Sequence, residues 1–129
     1  MCNIDDCDER YSVYYKQVKR ARKEHKCCEC RRAIAPGEPY QFSKGLYDGT
    51  WDTWHMCQHC LIGAEWLVEQ CGGYVYASVR EEIREHADEY KSVSFALNKF
   101  YVGARQRWLK FDRSGLMPVL RPLPPPDYV

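Results

Sequence analysis

Two pairs of cysteines with the same short spacing constrain this chain more than any other feature. Cys27 and Cys30 form the first pair, Cys57 and Cys60 form the second, and 26 residues separate them. A Cys-x2-Cys turn holds two thiolates close together, and two such turns supply the closed four-sulfur set that structural zinc prefers. A closed set leaves no coordination position for water. The sequence therefore predicts one zinc ion that stabilises a small domain and performs no chemistry.

Other potential ligands lie beside these pairs. Cys28 neighbours Cys27, but the Cys28-x-Cys30 spacing is shorter than the usual metal-binding turn, which favours Cys27 as the ligand. His55 and His59 flank the second pair, and two matched cysteine pairs favour both histidines as non-ligands. Spacing assigns no role to the remaining cysteines, which are Cys2, Cys7 and Cys71.

Composition narrows the class of protein. A length of 129 residues indicates one domain, and the hydrophobic fraction of 45% and charged fraction of 29% are ordinary for a soluble globular chain. The net charge of +1 excludes a strong global field, so any nucleic-acid interface must be local. The first residues, MCNIDDCDER, do not resemble a signal peptide, and no apolar run approaches the roughly 20 residues of a membrane span. We expect a cytoplasmic protein with no membrane association.

Periodicity and turn signals predict an α+β fold. Residues 10–26 carry aromatic residues at helical spacing among lysines and arginines, which predicts an amphipathic N-terminal helix. Strands are predicted at 40–43 and 50–55, on either side of an Asp48-Gly49 hairpin turn. The second cysteine pair opens an apolar helix that should stop at Gly72-Gly73.

The C-terminal half is predicted to be helical and then extended. Ser78 and Glu81 match a capping box, which predicts a helix over about 79–90, and an apolar stripe predicts another over 93–110. The five prolines within 118–129 predict an extended arm. The expected organisation is an acidic tail at 1–9, one zinc-stapled domain at 10–117 with helical residues at about 78–111, and this Pro-rich arm.

The order of knuckle, hairpin and helix resembles a treble-clef zinc finger over about residues 26–72. The matching segments are Cys27-x2-Cys30, the turn at Pro36-Gly37, the Asp48-Gly49 hairpin, and CQHC at a helix start. The segments KCCECRRAIAPGEPY, YDGTWDTW and CQHC are also similar to small uncharacterised zinc-binding proteins of phages and prophages. The resemblance implies a treble-clef fold but no single function, because treble clefs serve DNA binders, RNA binders, protein adapters and nucleases alike.

Two segments are candidate interaction surfaces. Basic residues are concentrated in 16–32, and the candidate contacts to a nucleic-acid backbone are Lys16, Lys19, Arg20, Lys23, Arg31 and Arg32. The predicted helix would place the first four of these on one face. The hairpin carries large aromatic residues, and the candidate contacts to a protein partner are Tyr47, Trp51 and Trp54. Strand alternation should place the two tryptophans on opposite faces.

A nuclease of the HNH type is the most specific enzymatic alternative, because such enzymes also use a treble-clef core. They need a histidine base paired with an acid or a second histidine, whereas this hairpin carries only the separated Asp48, Asp52 and His55. Cys71 precedes Gly72-Gly73 and is interpreted as a buried cysteine at a helix end. We therefore expect no enzymatic activity.

The expected function is that of a zinc-binding interaction protein, encoded by a phage, which occupies a host protein or defence complex. The alternatives are a nucleic-acid-binding protein that uses residues 16–32 and a degenerate HNH-like fold. A homodimer formed through the Pro-rich arm is a further alternative.

Overall fold

A computed structural model describes residues 13–75 and 77–126 of the chain. Five strands precede three α-helices in this part of the chain, which confirms the α+β class. The strands are β1 (Val13–Arg20), β2 (His25–Lys26), β3 (Ala33–Ile34), β4 (Pro39–Tyr47) and β5 (Thr50–Cys57). The helices are α1 (Gln58–Cys71), α2 (Val79–Glu89) and α3 (Ser94–Arg105), with a 3-10 turn at Lys91–Val93 before α3.

The sheet is an antiparallel arrangement in the order β1-β4-β5, and β2 pairs with β3 separately. Asp48 and Gly49 connect β4 to β5 with φ values of 48° and 79°, so both adopt the left-handed conformation that a tight hairpin requires. The predicted hairpin is confirmed, and both of its strands extend further than the sequence indicated. Ser43 lies opposite Trp54, and this register brings Cys57 to the end of β5 beside Tyr40.

The predicted N-terminal helix is wrong for the described residues, because Val13–Arg20 is a strand. It pairs with β4 along its whole length, from Val13 opposite Leu46 to Arg20 opposite Pro39. Strand β4 satisfies the backbone groups on the inner edge of β1, and tertiary pairing of this kind overrides a local helical pattern. Residues 10–12 lie outside the described part of the chain. Lys16 and Lys19 consequently lie on opposite faces of a strand and do not share a helical face.

Helix α1 begins and ends where the sequence predicted. Cys57 is its N-cap, and the Cys57 sulfur accepts a hydrogen bond from the backbone N–H of Cys60. Gly72 closes the helix with φ 79° and donates its N–H to the carbonyl of Val68. The buried face of α1 includes Ala64, Trp66 and Leu67, so this helix packs on the core directly after contributing two cysteines.

Helices α2 and α3 pack against each other, and Ile83, Ala87, Leu97 and Phe100 are buried on their facing sides. The helix predicted over 93–110 ends earlier, at Arg105. Arg107 and Trp108 adopt left-handed φ values of 56° and 59°, and the N–H of Trp108 donates to the carbonyl of Gly103. This reversal turns the Trp108 ring inward, where it is fully buried.

The C-terminal arm contains no helix or strand over residues 118–126, as its prolines predicted. It lies on its own domain, because the indole Nε1 of Trp66 donates to the carbonyl of Pro124 over 2.8 Å. Pro126 is buried. Residues 127–129 lie outside the described range.

Two glycines allow the helices to approach each other and the indole of Trp108. A Cβ at Gly63 would overlap the ring of Phe100, and a Cβ at Gly103 would overlap the ring of Trp108. We expect Gly103→Ala to destabilise the protein by about 1–3 kcal/mol, because the fully buried ring of Trp108 would have to shift to admit the Cβ. Thermal unfolding measures the effect. Gly115→Ala is the matched control, since a Cβ there meets nothing within 4 Å; equal melting temperatures for the two variants would contradict this packing.

Candidate metal centre

Four buried thiols meet at one point between the sheet and the helices. The sulfurs of Cys27, Cys30, Cys57 and Cys60 all lie within 4.8 Å of one another. The Cys30 and Cys57 sulfurs are 3.8 Å apart. A tetrahedral zinc site with Zn–S bonds of about 2.3 Å has S···S edges of about 3.8 Å, so the separation fits that geometry. The structure thus brings together the four cysteines that the spacing singled out.

Local backbone geometry positions each pair. Cys27 follows β2, and the chain reverses over Cys27–Arg31, where the N–H of Arg31 donates to the carbonyl of Cys27 over 3.1 Å. Arg31 has φ 70°, a left-handed conformation that closes this knuckle. Cys57 ends β5 and Cys60 lies in the first turn of α1, so the second pair spans a strand-to-helix junction. The N-terminus of a helix carries the positive end of its dipole, which stabilises cysteines there as thiolates.

Protein N–H groups donate hydrogen bonds to three of the sulfurs, each over 3.4 Å. Cys27 accepts from the backbone N–H groups of Glu29 and Cys57. Cys57 accepts from the N–H of Cys60, and Cys60 accepts from the indole Nε1 of Trp108. Such outer contacts stabilise thiolate charge and orient the ligands of a metal. The donor set therefore suits a four-thiolate metal site.

Hydrogen bonds within the cluster favour a thiolate at Cys27 and outweigh the opposing effect of burial. Its pKa is lowered by hydrogen bonds from the surrounding thiols, first from Cys28 and then from Cys30, Cys57 and Cys60. The thiolate is the form of cysteine that binds metal. Cys28 itself does not join the four-sulfur group, and its backbone N–H donates to the carbonyl of His55.

A buried arginine supplies positive charge at the edge of the cluster. The guanidinium of Arg32 forms two hydrogen bonds to the Glu38 carboxylate, over 2.8 and 3.2 Å. Burial alone would lower the pKa of Arg32, but Glu38 and the negative charge at Cys57 outweigh it and raise this pKa. Arg32 therefore offsets thiolate charge, whereas Arg31 is exposed. The prediction that Arg32 is a nucleic-acid contact, together with the exposed basic residues, therefore does not fit its position, because its side chain is buried.

His59 links the cysteine cluster to the C-terminal arm. Arg32 lies 3.1 Å from its Nδ1, and because a guanidinium can only donate, Nδ1 is the acceptor. Its Nε2–H then donates to the carbonyl of Met117 over 2.6 Å. Both ring nitrogens are engaged, so His59 does not compete for a metal. His55 stacks on the ring of His25 with 4.1 Å between centroids, and it also lies outside the cluster.

Glu29 is a structural residue that sequence reasoning missed. Its carboxylate accepts hydrogen bonds from the N–H groups of Ala77 and Val79, over 2.9 and 3.1 Å, and so caps the start of α2. Ser78, the predicted capping residue, makes no side-chain hydrogen bond there. The cysteine knuckle thus connects directly to the helical half of the domain. No local signal indicates this contact, because about fifty residues separate its partners.

Cys71 lies at the end of α1, where the sequence placed it, and is half-buried. It takes part in a disulfide, so it provides no free nucleophile. Its sulfur lies 3.2 Å from the Nε2 of His86, a ring that is itself buried against Trp66.

The candidate interaction residues fall on separate surfaces. Exposed cations follow β1 and the turn after it, namely Lys16, Lys19, Arg20 and Lys23. Trp51 is 49% exposed, and the ammonium of Lys44 lies 4.6 Å from the centre of its ring. Trp54 is half-buried on the opposite face of β5, as alternation predicted. The side chain of Tyr47 lies outside the described set.

Comparisons with known proteins found no counterpart. No protein-family model matches the chain, and neither a curated protein nor a solved structure matches it. Among the helices of the described residues, none combines the length and the apolar character needed to cross a membrane.

Proposed function

We propose that this chain is a non-enzymatic binding protein stabilised by one structural zinc ion. The observation that carries the proposal is the closed, buried set of four thiols with N–H donors around it. Zinc bound by Cys27, Cys30, Cys57 and Cys60 would supply folding free energy. The ion would have no position for substrate, so the surface of the protein carries the function.

The finer features of the proposal follow from chain order and resemblance. A knuckle, a hairpin and a helix that begins at the second cysteine pair support a treble-clef module over about residues 26–72. The resemblance of the segments KCCECRRAIAPGEPY, YDGTWDTW and CQHC to small phage zinc-binding proteins is the ground for proposing a phage-encoded protein that acts in a bacterial cytoplasm. Such a protein would act by occupying a host protein or defence complex.

The hairpin is the proposed surface for a protein partner. Trp51 exposes half of its side chain on β5, an edge strand of the three-stranded sheet, and exposed tryptophans are frequent hot spots in protein interfaces. Lys44 lies over the ring and would add a charge at the rim of the contact.

Two alternatives have weaker support. The exposed cations of β1 and the following turn support a nucleic-acid contact, although they lie on both faces of a strand. A degenerate HNH-like fold would account for the module without activity. Against an active nuclease, both nitrogens of His59 are engaged and His55 stacks on His25.

A pull-down of the tagged, zinc-loaded protein from bacterial lysate tests this role. We expect one stoichiometric protein partner that survives nuclease treatment and is lost with Trp51→Ala. Phe95→Ala is the matched control, because Phe95 is 83% exposed on α3, away from the hairpin. Recovery of the partner by the Trp51 variant, or of nucleic acid alone, would contradict the proposal. Metal analysis should give one zinc per chain.

A further inference from the structure

A turn after α3 gathers positive charge around an open depression. The depression has a volume of about 410 Å³, within the range of about 300–1,000 Å³ that is typical of ligand sites. Four cations line it, together with Gln106, Leu109 and Phe111. We call this surface the basic turn, and its cations are Arg105, Arg107, Lys110 and Arg113.

The charge of the basic turn is not neutralised within the described part of the chain. The ion pairs found there join Arg32 to Glu38, Arg80 to Glu81, and Arg84 to Asp88. Asp112 is the acid nearest in sequence, and its carboxylate accepts from the N–H and hydroxyl of Ser114, over 3.0 and 2.7 Å. Unpaired cations clustered around a depression favour a polyanion.

The backbone of the basic turn is held in place, which lowers the entropic cost of binding. Trp108 anchors it in the core through the hydrogen bond to the Cys60 sulfur. Met117 donates its N–H to the carbonyl of Trp108 over 2.7 Å, and Lys110 donates to the carbonyl of Gly115 over 2.8 Å. A site built on an anchored turn is preorganised for its ligand.

Phe111 indicates what kind of polyanion fits. Its side chain is 96% exposed, so its ring makes almost no contacts within the described structure. The ring lines the same depression as Lys110 and Arg113. An exposed ring beside phosphate-binding cations is the combination by which proteins hold single strands, with bases stacked on the ring and phosphates on the cations. Three of the four cations are arginines, whose planar guanidinium binds phosphate through two hydrogen bonds.

We propose that the basic turn binds single-stranded nucleic acid, with Phe111 as the stacking platform and the four cations on the phosphodiester backbone. A duplex hides the faces of its bases, so Phe111 would have no stacking partner there. An anionic membrane favours a broad apolar face, whereas this rim carries one ring and the 38%-exposed Leu109. The site goes beyond the proposed protein-binding role, because it lies on a different surface from the hairpin.

Fluorescence anisotropy of the zinc-loaded full chain with a labelled oligothymidylate tests the inference. Each phosphate contact on a single strand contributes about −0.7 to the slope of log K against log salt, so four contacts predict a slope near ~−3. Lys110→Gln combined with Arg113→Gln should lower affinity at least about tenfold and make the slope shallower by roughly 1.4. Phe111→Ala should lower affinity by about tenfold with the slope unchanged.

Matched variants separate this site from the others. Phe95→Ala removes a comparably exposed ring elsewhere and should leave binding unchanged. The double variant Lys19→Glu, Lys23→Glu reverses the charge of the β1 region. The inference would be overturned if this double variant lost binding while the variants of the basic turn retained it. Three further outcomes would also overturn it. These are no binding of oligothymidylate, a preference for duplex, and binding through Phe111 to phosphatidylserine vesicles instead. The pull-down through Trp51 is unaffected by these outcomes, so the two proposals fail independently.

Discussion

Removal of the proposed zinc ion should unfold this protein. The apparent free energy of binding for structural zinc at four thiolates is about 10–16 kcal/mol, which matches or exceeds the whole stability of an ordinary domain, about 5–15 kcal/mol. Without metal, four thiols would also remain buried at one point. We expect chelation to abolish the cooperative thermal transition, and Cys60→Ser to do the same. Circular dichroism follows the transition, and zinc analysis follows the metal.

Cys28→Ser is the matched control for this prediction. Cys28 is adjacent to a ligand in sequence but lies outside the group of four sulfurs. We expect this variant to retain one zinc ion and to change the melting temperature by only a few degrees, because serine is close in size to cysteine and Cys28 is only half-buried. A stable, cooperative fold in the chelated protein would contradict the structural role of the metal, and loss of zinc in Cys28→Ser would contradict the ligand set.

Replacement of Trp108 should have one of the largest effects on stability of any change outside the cysteines. The side chain is fully buried, packs edge-on against Phe100 with 5.2 Å between centroids, and donates to the Cys60 sulfur. Trp108→Ala should cost about 3–5 kcal/mol, because a large cavity forms beside the cluster. Chemical denaturation of the zinc-loaded protein measures this loss.

Trp108→Phe separates packing from hydrogen bonding. The smaller ring retains part of the contact with Phe100 but cannot donate to sulfur, and the lost hydrogen bond alone should cost about 1 kcal/mol. Its stability should therefore fall between those of the wild type and Trp108→Ala. Phe111→Ala is the control, since that ring is 96% exposed and its loss should change stability little. If Trp108→Ala were as stable as Phe111→Ala, the buried packing of Trp108 would be contradicted.

Features with local causes were predictable from the sequence. The Cys-x2-Cys spacing identified the residues that meet in the cluster, because each pair spans a single turn. Asp48-Gly49 identified the hairpin, since both residues tolerate positive φ. Gly72 marked the end of α1 for the same reason. The start of α2 was also predicted, although its cap comes from Glu29 and not from Ser78.

The N-terminal segment shows the limit of periodicity. Tyr14 and Val18 are four residues apart, a spacing that fits one face of a helix, but residues an even number apart also share one face of a strand. Pairing with β4 decided in favour of a strand, and the partner residues are distant in sequence, with Gly45 opposite Tyr14 and Gln41 opposite Val18. Because the segment is a strand, Lys16 and Lys19 lie on opposite faces of the sheet and do not share one helical face.

The contacts around the cluster depended on the three-dimensional fold. Trp108 reaches Cys60 across 48 positions, and His59 reaches Met117 across 58. Amphipathic periodicity extended α3 through Trp108, whereas the structure ends the helix earlier so that the indole can enter the core. Spacing within one turn is encoded by a few neighbouring residues, so the four clustered cysteines were recognisable. The groups that hydrogen-bond to their sulfurs come from distant segments and are determined by tertiary packing, so no short stretch of sequence predicts them.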